Sequence, residues 1–95
     1  DAILTIIDNN IENQTYNISG NYEDTNLNVV QKIIDLAIPN TDYDKHLDLG
    51  MSRAGQDVRY SINDSKLKNL GWNPKCDFDS ELKDIVKYYC THFIW

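Results

Sequence analysis

Two stretches with apolar residues at helical spacing constrain the fold more than any other feature of the sequence. The first is "DTNLNVVQKIIDLAIP", residues 24–39, where Thr25 is placed to cap a helix and Pro39 to stop it. The second is "FDSELKDIVKYYCTHFIW", residues 78–95, where Asp77 is the expected cap. The spacing predicts one apolar face on each helix: Leu27, Val30, Ile33, Ile34, Ala37 and Ile38 on the first, and Phe78, Leu82, Ile85, Val86, Tyr89 and Phe93 on the second.

Shorter elements are predicted in the rest of the chain. The spacing in "DAILTIIDNN", residues 1–10, indicates a short helix. A helical turn is expected in "NDSKLKNLG", capped near Asn63 or Asp64 and ended by Gly71. Three β-prone stretches predict short strands, and these are "QTYNISG" (residues 14–20), "KHLDLG" (residues 45–50) and "VRYSI" (residues 58–62). Two or three main helices with short strands predict a small α/β fold.

Size and charge limit the kinds of partner that this chain can have. Its 95 residues allow one small domain with a thin core, and a hydrophobic fraction of 41% argues against disorder. The net charge of −6 disfavours nucleic acid and anionic membranes as partners, because the acidic surface repels polyanions. No apolar run approaches the length of a membrane span, and the first residues do not resemble a secretory signal. We therefore expect a cytoplasmic protein.

The sequence offers little for metal binding or for catalysis. Cys76 and Cys90 are isolated from each other, and they form no ligand pattern with His46 and His92, so neither a metal site nor a disulfide is expected. The glycine-rich phosphate-binding patterns are absent, and Ser52 and Ser61 have no histidine near them in sequence. No catalytic residue is predicted.

Two places remain as candidates for ligand binding. The turn before the helix at residues 24–39 delivers Asn26 to the first helical turn, where backbone N–H groups favour an oxygen-rich or anionic ligand, although capping alone also explains it. The second place is the loop "GMSRAGQDVRY", residues 50–60. There Arg53 can fork onto phosphate oxygens, and Gly55 lets the backbone approach a ligand. Considered on composition alone, the loop is also consistent with a surface turn.

The order of three segments carries a resemblance to a known family. "TYNISGNYEDTNLNVV", "SRAGQDVRYSINDSKLKNLGWNP" and "FDSELKDIVKYY" follow one another as in the C-terminal substrate-binding part of extended short-chain dehydrogenase/reductases that act on nucleotide sugars. Within that superfamily the chain most resembles the dTDP-glucose 4,6-dehydratases. The resemblance spans nearly the whole chain, and the Arg-x-Gly-x-Asp-x-Arg-Tyr stretch followed by "LGWNP" is its most specific part.

The resemblance implies that substrate binding and catalysis lie in two different domains. It implies that residues 1–95 are the nucleotide-sugar-binding C-terminal portion, and that a Rossmann domain holding NAD and the catalytic residues lies upstream of Asp1. The parent enzyme would convert dTDP-glucose to the 4-keto-6-deoxy sugar and would be a homodimer. The 95 residues alone would be inactive, would bind no cofactor and could self-associate through the apolar surface that faced the missing half.

The resemblance also implies roles for individual residues in substrate binding. Arg53 corresponds to the arginine that grips the diphosphate, and Asn26 to an asparagine that contacts the nucleotide. Gly55 and Gln56 lie in the ligand-contacting loop, whereas Arg59 and Tyr60 match in type and fix its shape. The departures are Ala54 for a usual proline, Gln56 for a usual histidine and Val58 for a usual arginine.

These departures leave the base and the sugar open. Two alternatives therefore stand beside the dehydratase. One is an epimerase or decarboxylase of a UDP-sugar from the same superfamily, which would share this binding half and differ in the upstream catalytic motif. The other is a non-catalytic binding module of 95 residues.

Overall fold

The computed structural model describes residues 1–92. Within them four α-helices and one 3₁₀ turn follow in the order α1 (Ala2–Asp8), α2 (Asn26–Ala37), the turn Tyr43–Lys45, α3 (Ser65–Lys68) and α4 (Phe78–His92). All four predicted helical segments are confirmed. Phe93, which we placed on the apolar face of the last helix, lies outside the described residues.

The capping residues show why the two long helices begin where they do. The Thr25 side chain accepts a hydrogen bond from the backbone N–H of Asn28, at 3.1 Å. The Asp77 carboxylate accepts one from the N–H of Ser80, at 3.0 Å. Each cap satisfies a donor that has no partner inside its helix. Helix α2 ends at Ala37, two residues before Pro39, as the sequence predicts.

The predicted strands are wrong, because residues 1–92 contain no β-strand. The α/β fold class is therefore corrected to all-helical for the part of the chain that the structure describes. A strand needs the backbone of a neighbouring segment as its partner. Residues 14–17 are instead held by side chains: the Asn17 amide donates to the carbonyl of Asn63 at 3.1 Å, and the Lys66 ammonium to that of Thr15 at 3.0 Å.

Local turns replace the other two predicted strands. The segment 45–50 begins in the 3₁₀ turn Tyr43–Lys45, where the N–H groups of His46 and Leu47 both donate to the Tyr43 carbonyl. At its end, the Asp48 carboxylate accepts from the N–H of Gly50 at 2.9 Å. These bonds occupy backbone groups that a strand would offer to its neighbour. Residues 58–62 are exposed and have no strand partner.

The described residues separate into two compact units. Unit 1 consists of residues 1–22 and 59–76. Its centre is Leu67 of α3, which is fully buried. Beside it lies the buried carboxylate of Asp64, whose Oδ1 pairs with the Lys68 ammonium at 2.8 Å. At the surface, the Lys66 ammonium lies 4.5 Å from the centre of the Tyr16 ring, a cation–π contact.

Unit 2 consists of residues 23–58 together with 77–92 of the described chain, and its frame is the packing of α2 against α4. Ile34 of α2 is buried, as are Leu82 and Val86 of α4. An ion pair joins the two helices, because the Lys32 ammonium lies 2.8 Å from the Asp79 carboxylate. Within residues 1–92, the other apolar residues of the predicted faces are half-buried or exposed, so the core of this unit is thin in the described chain.

A hydrogen bond to a carboxylate fixes the 3₁₀ turn and makes its contribution depend on pH. The Tyr43 hydroxyl donates to Asp35 Oδ1 at 2.6 Å, and this bond raises the pKa of Tyr43 above its ordinary value of 10.0. A raised folded-state pKa means that the stabilisation is fully present below pH 10 and is lost as the pH rises through the folded-state pKa. We expect Tyr43→Phe to be less stable than the unchanged chain at neutral pH. Urea titrations at increasing pH should show this difference shrink as the pH rises beyond 10 through the folded-state pKa, whereas a difference that stays constant over that rise would contradict the assignment.

Candidate functional site

The loop of residues 50–60 carries most of the candidate ligand contacts, and every residue in it is exposed. A tight turn lies at its centre, where the N–H of Gln56 donates to the carbonyl of Arg53 at 3.2 Å. Gly55 has a φ of 74°, in the left-handed region, and Ala54 does not. A positive φ at the third turn position alone is the signature of a type II turn, which favours glycine there.

The Arg53 side chain is available for a ligand. It is exposed, and the part of the chain that the structure describes offers its guanidinium no hydrogen bond or ion pair. Nothing fills the space beside the Cα of Gly55, so the turn backbone is open on that side. A guanidinium next to an open glycine turn can donate two parallel hydrogen bonds to phosphate oxygens.

Asn26 is the first residue of α2, as the sequence predicts, and its side chain is exposed. A carboxylate already lies at this helix start, that of Asp24, and the Lys32 ammonium is 3.7 Å from its Oδ2. The Asp24 carboxylate accepts from the N–H of Thr25 at 2.8 Å and from the side-chain amide of Asn28 at 2.6 Å. It therefore supplies negative charge where the helix dipole favours it. This arrangement suits a neutral polar part of a ligand better than a phosphate.

The structure brings some of the predicted site residues together and separates others. Arg53, Gly55 and Gln56 share one turn in unit 2. Arg59 and Tyr60 belong to unit 1, and each takes part in an interaction with another group. The two arginines therefore differ: Arg59 is engaged, whereas the Arg53 guanidinium has no partner among the described residues.

The turn at Ala54 leads to a prediction about loop rigidity. Ala54 occupies the second position of the type II turn, where proline is favoured because its φ is already set. We expect Ala54→Pro to raise the free energy of unfolding by about 0.4–1 kcal/mol, through a less flexible unfolded chain. The matched control is Gln56→Pro, which removes the N–H that binds the Arg53 carbonyl and should destabilise. Equal losses in urea unfolding for both variants would contradict the turn assignment.

A cavity in unit 1 is a feature that the sequence analysis missed. It is open to solvent and has a volume of about 300 Å³, which is at the lower end of the range for small-molecule sites. It lies between α1 and the segment after α3, and its lining residues are Asp1, Leu4, Thr5, Asp8, Gly71, Trp72, Asn73 and Lys75. The indole N–H of Trp72 is buried and has no hydrogen-bond partner within the described chain. The only sequence signal for this region is "LGWNP", which is part of the family resemblance.

Residues 1–92 contain neither a cluster of metal ligands nor a helix that could span a membrane. No three of the histidine, cysteine, aspartate and glutamate side chains there come together as a metal site. Over the same residues, no helix has the length and apolar character needed to cross a bilayer.

Comparison with known proteins identifies relatives over the whole chain. The chain is 35% identical over 102 residues to a dTDP-glucose 4,6-dehydratase of Xanthomonas campestris, covering 100% of this chain and 29% of the relative. It is 40% identical over 85 residues to one of Haemophilus influenzae, with 80% of this chain and 25% of the relative covered. For one of Shigella flexneri the identity is 32% over 99 residues, with 99% and 27% covered.

Neither a family model nor a solved structure matches the chain. The chain spans less than a third of the length of each of these three relatives. The resemblance inferred from the sequence is nevertheless confirmed by them. Over nearly its whole length, the chain is homologous to one segment of proteins in the dTDP-glucose 4,6-dehydratase family.

Proposed function

We propose that the chain is the nucleotide-sugar-binding portion of a longer dTDP-glucose 4,6-dehydratase and lies C-terminal to its NAD-binding Rossmann domain. The observation that carries the proposal is the similarity at 32–40% identity to proteins of that name, of which the chain spans 25–29%. In the complete enzyme this portion binds dTDP-glucose, which the enzyme converts to the 4-keto-6-deoxy sugar. Its contribution is binding energy and orientation, which place the sugar at the reacting centre.

The substrate's diphosphate is assigned to Arg53. A diphosphate carries its charge on oxygens that match the two parallel N–H donors of a guanidinium. The exposed side chain without a described partner supports this role, as does the open turn at Gly55. The acidic chain, with a net charge of −6, weakens binding of anions elsewhere on the surface. Binding is therefore expected at this loop and not along a broad basic patch.

The nucleoside and the loop shape are assigned to the remaining site residues. Asn26 can exchange hydrogen bonds with a neutral sugar or base, which fits its place beside the Asp24 carboxylate. Gln56 offers an amide with both donors and acceptors. We assign Arg59 and Tyr60 to holding the end of the loop, because both are engaged with other groups.

NAD does not fit this chain. The glycine-rich fingerprint that binds a dinucleotide pyrophosphate is absent from the sequence. The strand that precedes this fingerprint in a Rossmann domain is absent from residues 1–92. NAD supplies hydride transfer when it is bound, and we assign that task to a domain outside these 95 residues. The chain alone is therefore proposed to be inactive. We further propose that the complete enzyme is a cytoplasmic homodimer and that it has no nucleic-acid partner.

A nuclear magnetic resonance titration of the 95-residue chain with dTDP tests the binding assignment. Backbone amide shifts should concentrate in residues 50–60 and near Asn26, and unlabelled pyrophosphate should reproduce those around Arg53. The inactive isolated chain is suitable because the readout is binding. If the shifts fall on the cavity beside Trp72, or if no amide shifts at millimolar dTDP, the assignment is wrong.

The same titration with UDP tests the choice of base. The names of the relatives favour dTDP over the UDP-sugar alternatives. We expect the tighter binding with dTDP. A clear preference for UDP would shift the assignment to an epimerase or decarboxylase of the same superfamily.

A further inference from the structure

The cavity of unit 1 contains none of the residues assigned to the nucleotide sugar, and α1 forms one of its walls. The four residues of this wall, at positions 1, 4, 5 and 8, follow the spacing of a single helix face. Asp1 and Asp8 are about 10 Å apart along the helix, at the two ends of the wall. The cavity volume is about 300 Å³. At about 30 Å³ for each water-sized group, a ligand of about ten non-hydrogen atoms fits.

The two ends of this wall differ in charge. At one end the Asp1 carboxylate pairs with the Lys75 ammonium, at 2.8 Å. At the other end the Asp8 carboxylate has no hydrogen bond or ion pair within the part of the chain that the structure describes. Asp8 is also the last residue of α1, where the helix dipole favours a positive charge, and the last turn contains no basic residue. The negative charge of Asp8 therefore lacks a counter-charge that a bound cation can supply.

Leu4 and Trp72 add apolar surface to the cavity. The side chain of Leu4 is open to contact, because this residue is 59% exposed. The indole N–H of Trp72 is buried, whereas the cavity is open to solvent, so the part of the indole that can line the cavity is its carbon surface. A carboxylate beside an aromatic ring and an aliphatic side chain suits an organic ammonium ion. Its charge pairs with the carboxylate, and its hydrocarbon part packs on the apolar surface.

We propose that this cavity binds a small organic cation, which is a protonated amine on an apolar body. Asp8 pairs with the ammonium group, and the body packs against Leu4 and Trp72. The charged side chains of the lining are two carboxylates and one ammonium, a net charge of −1, so the cavity disfavours anions such as dTDP. This site therefore takes a different class of ligand from the loop of Arg53, and the proposal does not depend on nucleotide-sugar binding.

Three probes with one ring and different head groups test the charge preference. They are benzylamine, which is protonated at neutral pH, the neutral benzyl alcohol and the anionic benzoate. Each is titrated into the 95-residue chain, and the backbone amide shifts of residues 71–75 report binding by nuclear magnetic resonance. We expect benzylamine to bind at least about tenfold more tightly than benzyl alcohol, because hydrogen bonds between charged groups are the stronger ones. Benzoate should cause no shift in these residues.

Asp8→Asn tests the residue that is assigned to the ammonium group. It should weaken the binding of benzylamine by at least about tenfold and leave the binding of benzyl alcohol unchanged. The fold should tolerate this change, because it removes a charge that the helix dipole disfavours. The matched control is Glu12→Gln, which removes the same charge from an exposed residue of unit 1 outside the cavity. The control should stay within about twofold of the unchanged chain.

Three outcomes would overturn the proposal. The first is no shift in residues 71–75 at tens of millimolar benzylamine. The second is equal affinity for benzylamine and benzyl alcohol. The third is an equal loss of benzylamine affinity in Asp8→Asn and Glu12→Gln, with unchanged helix content by circular dichroism in both. A failed dTDP titration would leave these results intact, because the nucleotide assignment is judged on residues 50–60.

Discussion

Leu67→Ala is expected to lower the free energy of unfolding by about 2–5 kcal/mol, the range for truncating a fully buried leucine. Leu67 has 0% exposure, and no other large side chain in the described residues is as completely enclosed. Small domains have net stabilities of about 5–15 kcal/mol, so this one change removes a large share. Urea unfolding followed by circular dichroism measures it.

The control for Leu67→Ala is the same substitution at an exposed leucine of the same unit. Leu4 on α1 is 59% exposed, and Leu4→Ala should change the free energy of unfolding by no more than about 0.5 kcal/mol. If both variants lose the same stability, Leu67 is not the centre of unit 1. The packing described around α3 would then be incorrect.

Arg53→Ala is expected to weaken binding of dTDP-glucose by about 10- to 100-fold. The reason is the loss of charge-assisted hydrogen bonds to the diphosphate, which contribute about 1.5–3 kcal/mol. Arg53→Lys should recover only part of the affinity, because an ammonium keeps the charge but lacks the planar fork. The dissociation constants come from titrations of the chain at fixed salt, since ionic strength screens this interaction.

Lys45→Ala is the control that separates the loss of the guanidinium hydrogen bonds from the loss of one positive charge. It removes the same unit of positive charge from an exposed residue of unit 2 that the proposed site does not use. We expect an affinity within about twofold of the unchanged chain, because an exposed ammonium that makes no hydrogen bond to the ligand contributes only a charge screened by water and salt. Equal losses in Lys45→Ala and Arg53→Ala would show that the ligand responds only to net charge.

The helices could be predicted from the sequence because the information that defines them is local. Thr25 and Asp77 are the N-cap residues that predict where the two long helices begin, and both caps form as expected. Gly71 ends the turn after α3 with a φ of 90°, a conformation that favours glycine. At the start of α3, Asp64 takes the capping position, but the bond to the N–H of Ser65 comes from the side chain of Asn63.

The absence of strands from residues 1–92 could not be predicted in the same way, because a β-prone segment forms a strand only when it pairs with a partner that lies far away in sequence. The stretch at residues 14–20 has β-prone residues, yet its neighbours contact it through the side chains of Asn17 and Lys66. The number of buried residues on each helix was also overestimated, because burial depends on how closely the partner helix approaches. Periodicity identified Ile33 and Ile34 together, but only Ile34 faces the partner helix closely enough to be buried.

The candidate site was predictable in its residues and not in its surroundings. The glycine at position 55 indicated a turn, and the structure places Arg53 and Gln56 at its two ends. The Asp24 carboxylate at the start of α2 was missed, because periodicity says nothing of how the Asp24 side chain folds back onto the helix start. The assignment of these residues to a nucleotide sugar stays a prediction.

The most direct test of the central claim is the activity of a chimera in which this chain replaces the matching region of the Xanthomonas campestris dehydratase. The two are 35% identical over the full length of this chain, so the replacement has a defined alignment. We predict that the chimera forms the 4-keto-6-deoxy sugar from dTDP-glucose, and that Arg53→Ala weakens its affinity for that substrate. A chimera that folds and retains NAD but does not bind dTDP-glucose would contradict the account.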